Sequence, residues 1–164
     1  MPEEQLFKNV RYLVFDVDGV FTDNSILVTE EGQYLRSFSM RDGYAIKKAI
    51  AAGLGIAVIT GGAGLGVVKR FKSLGVDLVF PGVQAKAPVF HRLIDQQQWP
   101  VDEVLYMGDD EPDLECLKLA GYSVCPADAV PAVLSICDFA TRSKGGANCV
   151  RELIETLLRE RDLW

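Results

Sequence analysis

Residues 11–23 read RYLVFDVDGVFTD, a β-rich apolar run that ends in Asp16, Asp18 and Asp23 with Gly19 among them. A core strand that stops in clustered carboxylates needs one of two explanations. Either a turn uses Asp and Gly for their backbone preferences, or a site uses the charge. At strand spacing Asp16 and Asp18 point to the same side, and Gly19 lets the backbone turn sharply beside them.

Outward from this run, short apolar segments alternate with helix-like ones. SILVT (25–29) and QYLRSFS (33–39) flank Glu30-Glu31-Gly32 and predict a β-hairpin over about 25–39. DGYAIKKAIAAG (42–53) has helical spacing, an Asp near its start and Gly53 as a stop. Strands are expected at 55–60, 77–80, 103–107, 122–125 and around DFA (138–140). Helices are expected at 64–74, 87–98, after GDDEPD (108–113), near 130–136 and at 147–161, with Pro112 suited to a first helical turn. This alternation predicts an α/β fold: one domain over 1–164, built on a doubly wound, Rossmann-like, mostly parallel sheet with the hairpin inserted.

Composition narrows the function classes. The chain has 164 residues, 49% hydrophobic and 24% charged, enough for an ordinary packed core. Its net charge of −6 disfavours nonspecific nucleic-acid binding, which needs a basic face. No apolar stretch approaches the ~18 residues that cross a bilayer, and MPEEQLFKNV lacks the order of a signal peptide, so the expected location is cytoplasmic with no membrane partner. Cys116, Cys125, Cys137 and Cys149 show no zinc spacing and read as reduced, mostly buried thiols. The single histidine, His91, has no second histidine to share a metal and reads as solvated or capping.

In a parallel sheet, ligands bind outside the carboxyl ends of the strands. Those ends carry Asp16 and Asp18, then Thr60, then Asp109 and Asp110, with Lys86 shortly after DLVF. Two carboxylates ~4 Å apart repel by roughly 4 kcal/mol at an effective dielectric near 20. A hard divalent cation removes that cost, and oxygen ligands with open positions favour Mg²⁺ beside a substrate phosphate. Thr60 supplies a hydroxyl, Gly61 and Gly62 supply amides, and Lys86 neutralises phosphate or the attacking carboxylate. One carboxylate would attack phosphorus, and the other would protonate the departing alkoxide and then activate water.

DVDG (16–19) with Thr22-Asp23, VITG (58–61), Lys86 and GDDEPD (108–113) resemble, in order, the four motifs of the haloacid dehalogenase superfamily. The resemblance implies Asp16 as nucleophile, Asp18 as general acid/base, and Thr60 with Lys86 as phosphate and nucleophile contacts. It implies Mg²⁺ held by Asp109, Asp16 and the Asp18 backbone carbonyl, with Asp110 and Asp113 supporting that shell. The stretches between motifs already hold the expected strands and helices, so this is a capless core. Residues 18–46 and the ending RSKGGANCVRE (142–152) are similar to segments of 3-deoxy-D-manno-octulosonate 8-phosphate phosphatases. That family implies a phosphorylated eight-carbon keto sugar acid substrate on the lipopolysaccharide route. It also implies a homotetramer assembled through the hairpins, with a neighbour's C-terminal segment (about 144–161) helping to close the site.

Many relatives are basic where this chain has Gly62-Ala63-Gly64, and carry Arg or Glu where it has Ala147. Arg41, Arg70, Lys144 and Arg151 are the remaining candidates for the sugar carboxylate, and a nine-carbon keto sugar acid 9-phosphate or another small sugar phosphate is the alternative substrate. A receiver-type phospho-acceptor domain uses similar residues, but it places its accepting Asp on a middle strand and has no hairpin. TGGAGLG (60–66) satisfies neither dinucleotide nor P-loop spacing. Asp23 lies past the turn and is expected to be structural.

Overall fold

The computed structural model describes residues 5–164. From the N-terminus run β1 (Tyr12–Phe15), β2 (Leu27–Val28), β3 (Tyr34–Leu35), α1 (Met40–Ala51), β4 (Gly55–Ile59), α2 (Leu65–Ser73) and β5 (Leu78–Phe80). There follow α3 (Lys86–Gln97), β6 (Val104–Met107), α4 (Leu114–Leu119), β7 (Tyr122–Cys125), α5 (Pro131–Leu134), β8 (Phe139–Ala140) and α6 (Cys149–Arg159). Six strands form one sheet in the order β5-β4-β1-β6-β7-β8. Every pairing within it is parallel, where the sequence predicts a mostly parallel sheet. The antiparallel pair stands apart as the ribbon β2-β3, because both edges of β1 are already taken by β4 and β6. Each hairpin strand holds its ladder over two residues only, shorter than expected. A ribbon of two strands outside the sheet has no third strand to lengthen its pairing.

Alternation along each strand sends side chains to two separate cores. Leu13, Phe15, Val58 and Met107 pack with Ala45, Ile46 and Ala49 of α1, Phe71 of α2 and the apolar face of α6. Val14, Ala57, Ile59 and Tyr106 face Phe90, Leu93 and Ile94 of α3, Cys116 of α4 and Val133 of α5. All four cysteines are free; three are buried and Cys137 is half-buried. His91 is exposed on α3. No helix is long and apolar enough to cross a membrane among the described residues.

Two termini depart from expectation. α1 starts at Met40 because Ser39 is its N-cap, its hydroxyl accepting the Arg41 and Asp42 N–H groups. Asp42 is thereby released to serve α6. That helix opens on Asn148 at φ 74° with no side-chain cap, and the Asp42 carboxylate accepts the Arg151 N–H at 2.9 Å. The other Asp42 oxygen is buried without a partner. Burial raises the Asp42 pKa from 3.8 to about 6, against the Arg151 N–H and the Arg151 charge.

The sign of the resulting pH effect follows. An acid that binds its proton more tightly when folded favours folding fully only below its unfolded pKa, and that favour is lost as pH rises through about 6. Asp42→Asn should therefore gain up to about 3 kcal/mol on the parent chain between about pH 4 and about pH 7. Melting temperatures of the two proteins should diverge across that window, and parallel curves would contradict the assignment.

Helix α6 of the C-terminal segment is packed into its own chain's core. Cys149, Val150, Leu153, Ile154, Leu157 and Leu158 are each fully buried against their own chain. Trp164 folds back onto α1, edge-on to Tyr44 and under the Lys48 ammonium. An apolar face this continuous is held by its own core.

Candidate active site

β1 is the centre of the sheet, and the chain leaves it for β4 and β5 on one side before returning to β6 on the other. Phe15 pairs with Val58 and with Met107, so Thr60 and Asp109, each two residues past those positions, flank the chain as it leaves β1. This is the switch point at which open α/β sheets bind ligands.

Asp16 is 6% exposed; its Oδ1 accepts the Val17 N–H at 2.7 Å and lies 2.8 Å from Lys86 Nζ. Lys86 opens α3 and reaches back to bond Asp113 Oδ1, also at 2.8 Å. Asp113 is fully engaged. Its Oδ1 also accepts the Tyr106 hydroxyl at 2.8 Å, and its Oδ2 accepts the Asp109 N–H at 3.1 Å and the Asp110 N–H at 3.4 Å. Asp109 Oδ2 accepts the Asn24 side-chain amide at 2.9 Å, while Oδ1 is buried with no partner. Gly19 adopts φ +86°, and a Cβ there would lie 1.9 Å from the Asp109 carboxylate, so this turn admits only glycine.

The electrostatics show a shortage of positive charge. Burial raises the Asp16 pKa well above the ordinary carboxylate value; Asp113 and Asp109 add to the shift and Lys86 opposes it. Burial also raises Asp109, against the Asn24 hydrogen bond. Burial works against the Lys86 ammonium, yet Asp16 and Asp113 more than offset it and the Lys86 pKa is raised. Carboxylate oxygens of Asp16, Asp109 and Asp113 lie within 4.8 Å of one another. A buried oxygen on Asp109 without a partner, beside carboxylates that resist ionisation, fits a hard divalent cation bound through oxygen. Because all the bonds of Asp113 are committed, Asp16 and Asp109 are the side chains left to hold it, and Asp113 supports Lys86 and the loop.

Other residues singled out in the sequence fall into place unevenly. Asp18 stands over the same cavity of about 440 Å³ as Asp16, Lys86 and Asp109. Gly61 lines that cavity, whereas Thr60 is buried behind it and its hydroxyl accepts the Gly62 N–H at 3.2 Å. That bond commits the Gly62 amide, so Thr60 shapes the loop from behind the cavity. Asp110 lies at the rim, exposed, with its carboxylate accepting the Glu111 N–H as a cap and not joining the inner cluster. Asp23 holds a turn by accepting the Ser25 N–H and hydroxyl. Arg41 and Arg151 line a separate groove along α6, where Arg151 pairs with Glu155 at 3.1 Å. Arg70 lies behind the hairpin and donates to the Ser39 carbonyl, and Lys144 is exposed. None of these four lines the acidic cavity.

Three residues escaped the sequence reading. Asn24 and Tyr106 orient Asp109 and Asp113, and Arg36 of the hairpin grips Asp18, Nε to Oδ1 at 2.7 Å and Nη2 to Oδ2 at 3.1 Å. Only Tyr106 carried a signal, as a hydroxyl inside the apolar strand EVLYM.

Comparison with known proteins finds relatives over most of the chain. A family profile described as haloacid dehalogenase-like hydrolase matches residues 68–154. A 3-deoxy-D-manno-octulosonate 8-phosphate phosphatase from Yersinia pestis is 36% identical over 154 residues, covering 94% of this chain and 82% of that protein. The crystal structure of the Yersinia pestis phosphatase is similar with a TM-score of 0.94 at 34% identity, covering 98% of this chain and 88% of that one. The Moraxella catarrhalis phosphatase of the same name has a TM-score of 0.90 at 28% identity, covering 93% of this chain and 88% of that one. Its crystal structure is a complex with a magnesium ion, a phosphate ion and a KDO molecule.

Proposed function

The chain belongs to the haloacid dehalogenase-like hydrolase family, and on that premise we propose that it is a Mg²⁺-dependent phosphatase that hydrolyses 3-deoxy-D-manno-octulosonate 8-phosphate to the keto sugar acid and phosphate. The observation that carries the reading is the buried Asp16 carboxylate, held by Lys86 and short of positive charge, at the floor of the cavity that Asp18 overlooks. The relatives named above supply the choice of sugar.

In the proposed reaction Val17 N–H and Lys86 take up Oδ1 of Asp16, so Oδ2 forms the bond to phosphorus. The ester P–O bond breaks, its electron pair leaves with the sugar oxygen, and Asp18 gives that oxygen a proton. Asp18 then takes a proton from water as the water oxygen attacks phosphorus, releasing phosphate and regenerating Asp16. Lys86 and the Gly61 loop hold the phosphoryl oxygens throughout. Mg²⁺, when bound, supplies the positive charge that keeps Asp16 ionised and offsets charge on the phosphoryl group.

The same reading places the protein in the cytoplasm, on the route to lipopolysaccharide precursors; its free thiols suit a reducing compartment. It also takes the protein as a homotetramer. The support is the hairpin, where Ile26, Leu27, Val28, Tyr34 and Leu35 are all exposed. Sedimentation analysis measures the assembly directly.

A phosphate-release screen tests the substrate. The eight-carbon 8-phosphate should give the highest kcat/KM, and a higher value on a nine-carbon 9-phosphate would move the assignment to that sugar. A chelator should abolish turnover and added Mg²⁺ should restore it, while a rate indifferent to chelation would rule out the cation-assisted reaction.

A further inference from the structure

The hairpin is fastened to the catalytic loop by one residue. Among the described residues, no hydrogen bond or ion pair other than those of Arg36 joins residues 26–38 to the rest of the chain. The Arg36 side chain is 10% exposed, although Tyr34 and Leu35 beside it in β3 face solvent. Its planar fork meets both Asp18 oxygens, and this geometry fixes the direction of a carboxylate as well as its position. The guanidinium also fills the space over the glycine loop. A Cβ on Gly62 would stand 2.6 Å from Arg36 Nη2.

A second cavity, of about 550 Å³, lies between this hairpin and that loop, with Tyr34, Arg36 and Gly64 on its wall. It shares Asp18, Asn24, Gly61 and Gly62 with the acidic cavity, so the two meet at Asp18. On the phosphatase reading the phosphoryl group takes the Asp16–Lys86 side, and the second cavity is the adjoining space for the departing alcohol. Arg36 is the one cation lining it among the described residues.

We propose that Arg36 is a positioning residue for the reaction: it aims the Asp18 carboxylate at the leaving oxygen, and Gly62 is small in order to leave it room. The inference rests on the phosphatase reading. Each carboxylate oxygen has two acceptor sites, so the Arg36 fork leaves one on each free to exchange a proton with the alkoxide or the water. The hairpin thus acts on proton transfer through the Asp18 side chain and bonds neither Asp16 nor Asp109.

Leaving groups separate this role from a structural one. A sugar alkoxide needs a proton as its P–O bond breaks, while p-nitrophenolate departs as a stable anion. kcat/KM for each ester should be measured with Mg²⁺-loaded parent, R36Q, R36K and G62A proteins, after melting curves show each folded. R36Q should lower kcat/KM on the sugar phosphate by about a hundredfold, mostly through kcat, with a loss at least about tenfold smaller on p-nitrophenyl phosphate. R36K should recover part of the loss, since it offers a point charge in place of the fork. G62A, which keeps the arginine but takes its space, should shift the same ratio in the same direction. Equal losses on both esters, a raised KM with kcat intact, or a G62A protein identical to the parent would each overturn the proposal. A parent protein that releases phosphate from neither ester would instead overturn the phosphatase reading on which it rests.

Discussion

Replacing Asp16 by asparagine should abolish phosphate release, a loss on the order of 10⁴-fold or more, in a protein that still folds. Asparagine can accept the Val17 N–H and one Lys86 bond as aspartate does, and Lys86 keeps Asp113 as its counter-charge. What disappears is the oxygen nucleophile, because the amide nitrogen left in place of Oδ2 has its lone pair delocalised into the carbonyl. The fold gains from the same change. Burial raises the Asp16 pKa well above its ordinary value, so the ionised side chain destabilises the metal-free protein increasingly as pH rises through and above the usual carboxylate range. The metal-free variant should therefore melt no lower than the parent at neutral pH. Retained turnover would remove Asp16 from the nucleophile role, and a collapsed melting curve would mean that its carboxylate is structural.

Deleting residues 145–164 should unfold the chain, and this is the second large effect. The deletion takes Val150, Leu153, Ile154, Leu157 and Leu158, each with no exposed surface. Fully burying one such side chain contributes roughly 1.5–3 kcal/mol, so five of them match the whole stability of an ordinary domain, about 5–15 kcal/mol. The segment also braces the catalytic turn. Gly146 N–H donates to the Val20 carbonyl at 3.0 Å, and a Cβ on Gly145 would lie 1.9 Å from the Gly19 carbonyl oxygen. Loss of helical circular dichroism in the truncated protein is the expected result. A truncated protein that stays folded but inactive would give this segment a lid-like role instead.

The contrast between these two results shows where sequence and structure divide. The site at Asp16 is legible in a run of thirteen letters, because an apolar strand ending in carboxylates and glycine announces a site at a strand's carboxyl end. The role of residues 145–164 is less legible. Its glycines lead to the expectation of a segment that serves a neighbour, while the burial of the apolar face of α6 in its own core is a fact about packing.

The sequence by itself determined the alternation of strands and helices, the parallel sheet, and the gathering of Asp16, Asp18, Thr60, Lys86 and Asp109 at one edge. Those follow from local periodicity and from a rule about strand ends, so linear spacing is enough. Only the tertiary structure decided that Asp113 holds Lys86, that Asn24 steadies Asp109, that Asp42 caps a helix more than a hundred residues away, and that Arg36 grips Asp18. Each joins residues far apart in the chain through the direction of a side chain. That direction is set by what packs around it, and neighbouring letters carry no trace of it.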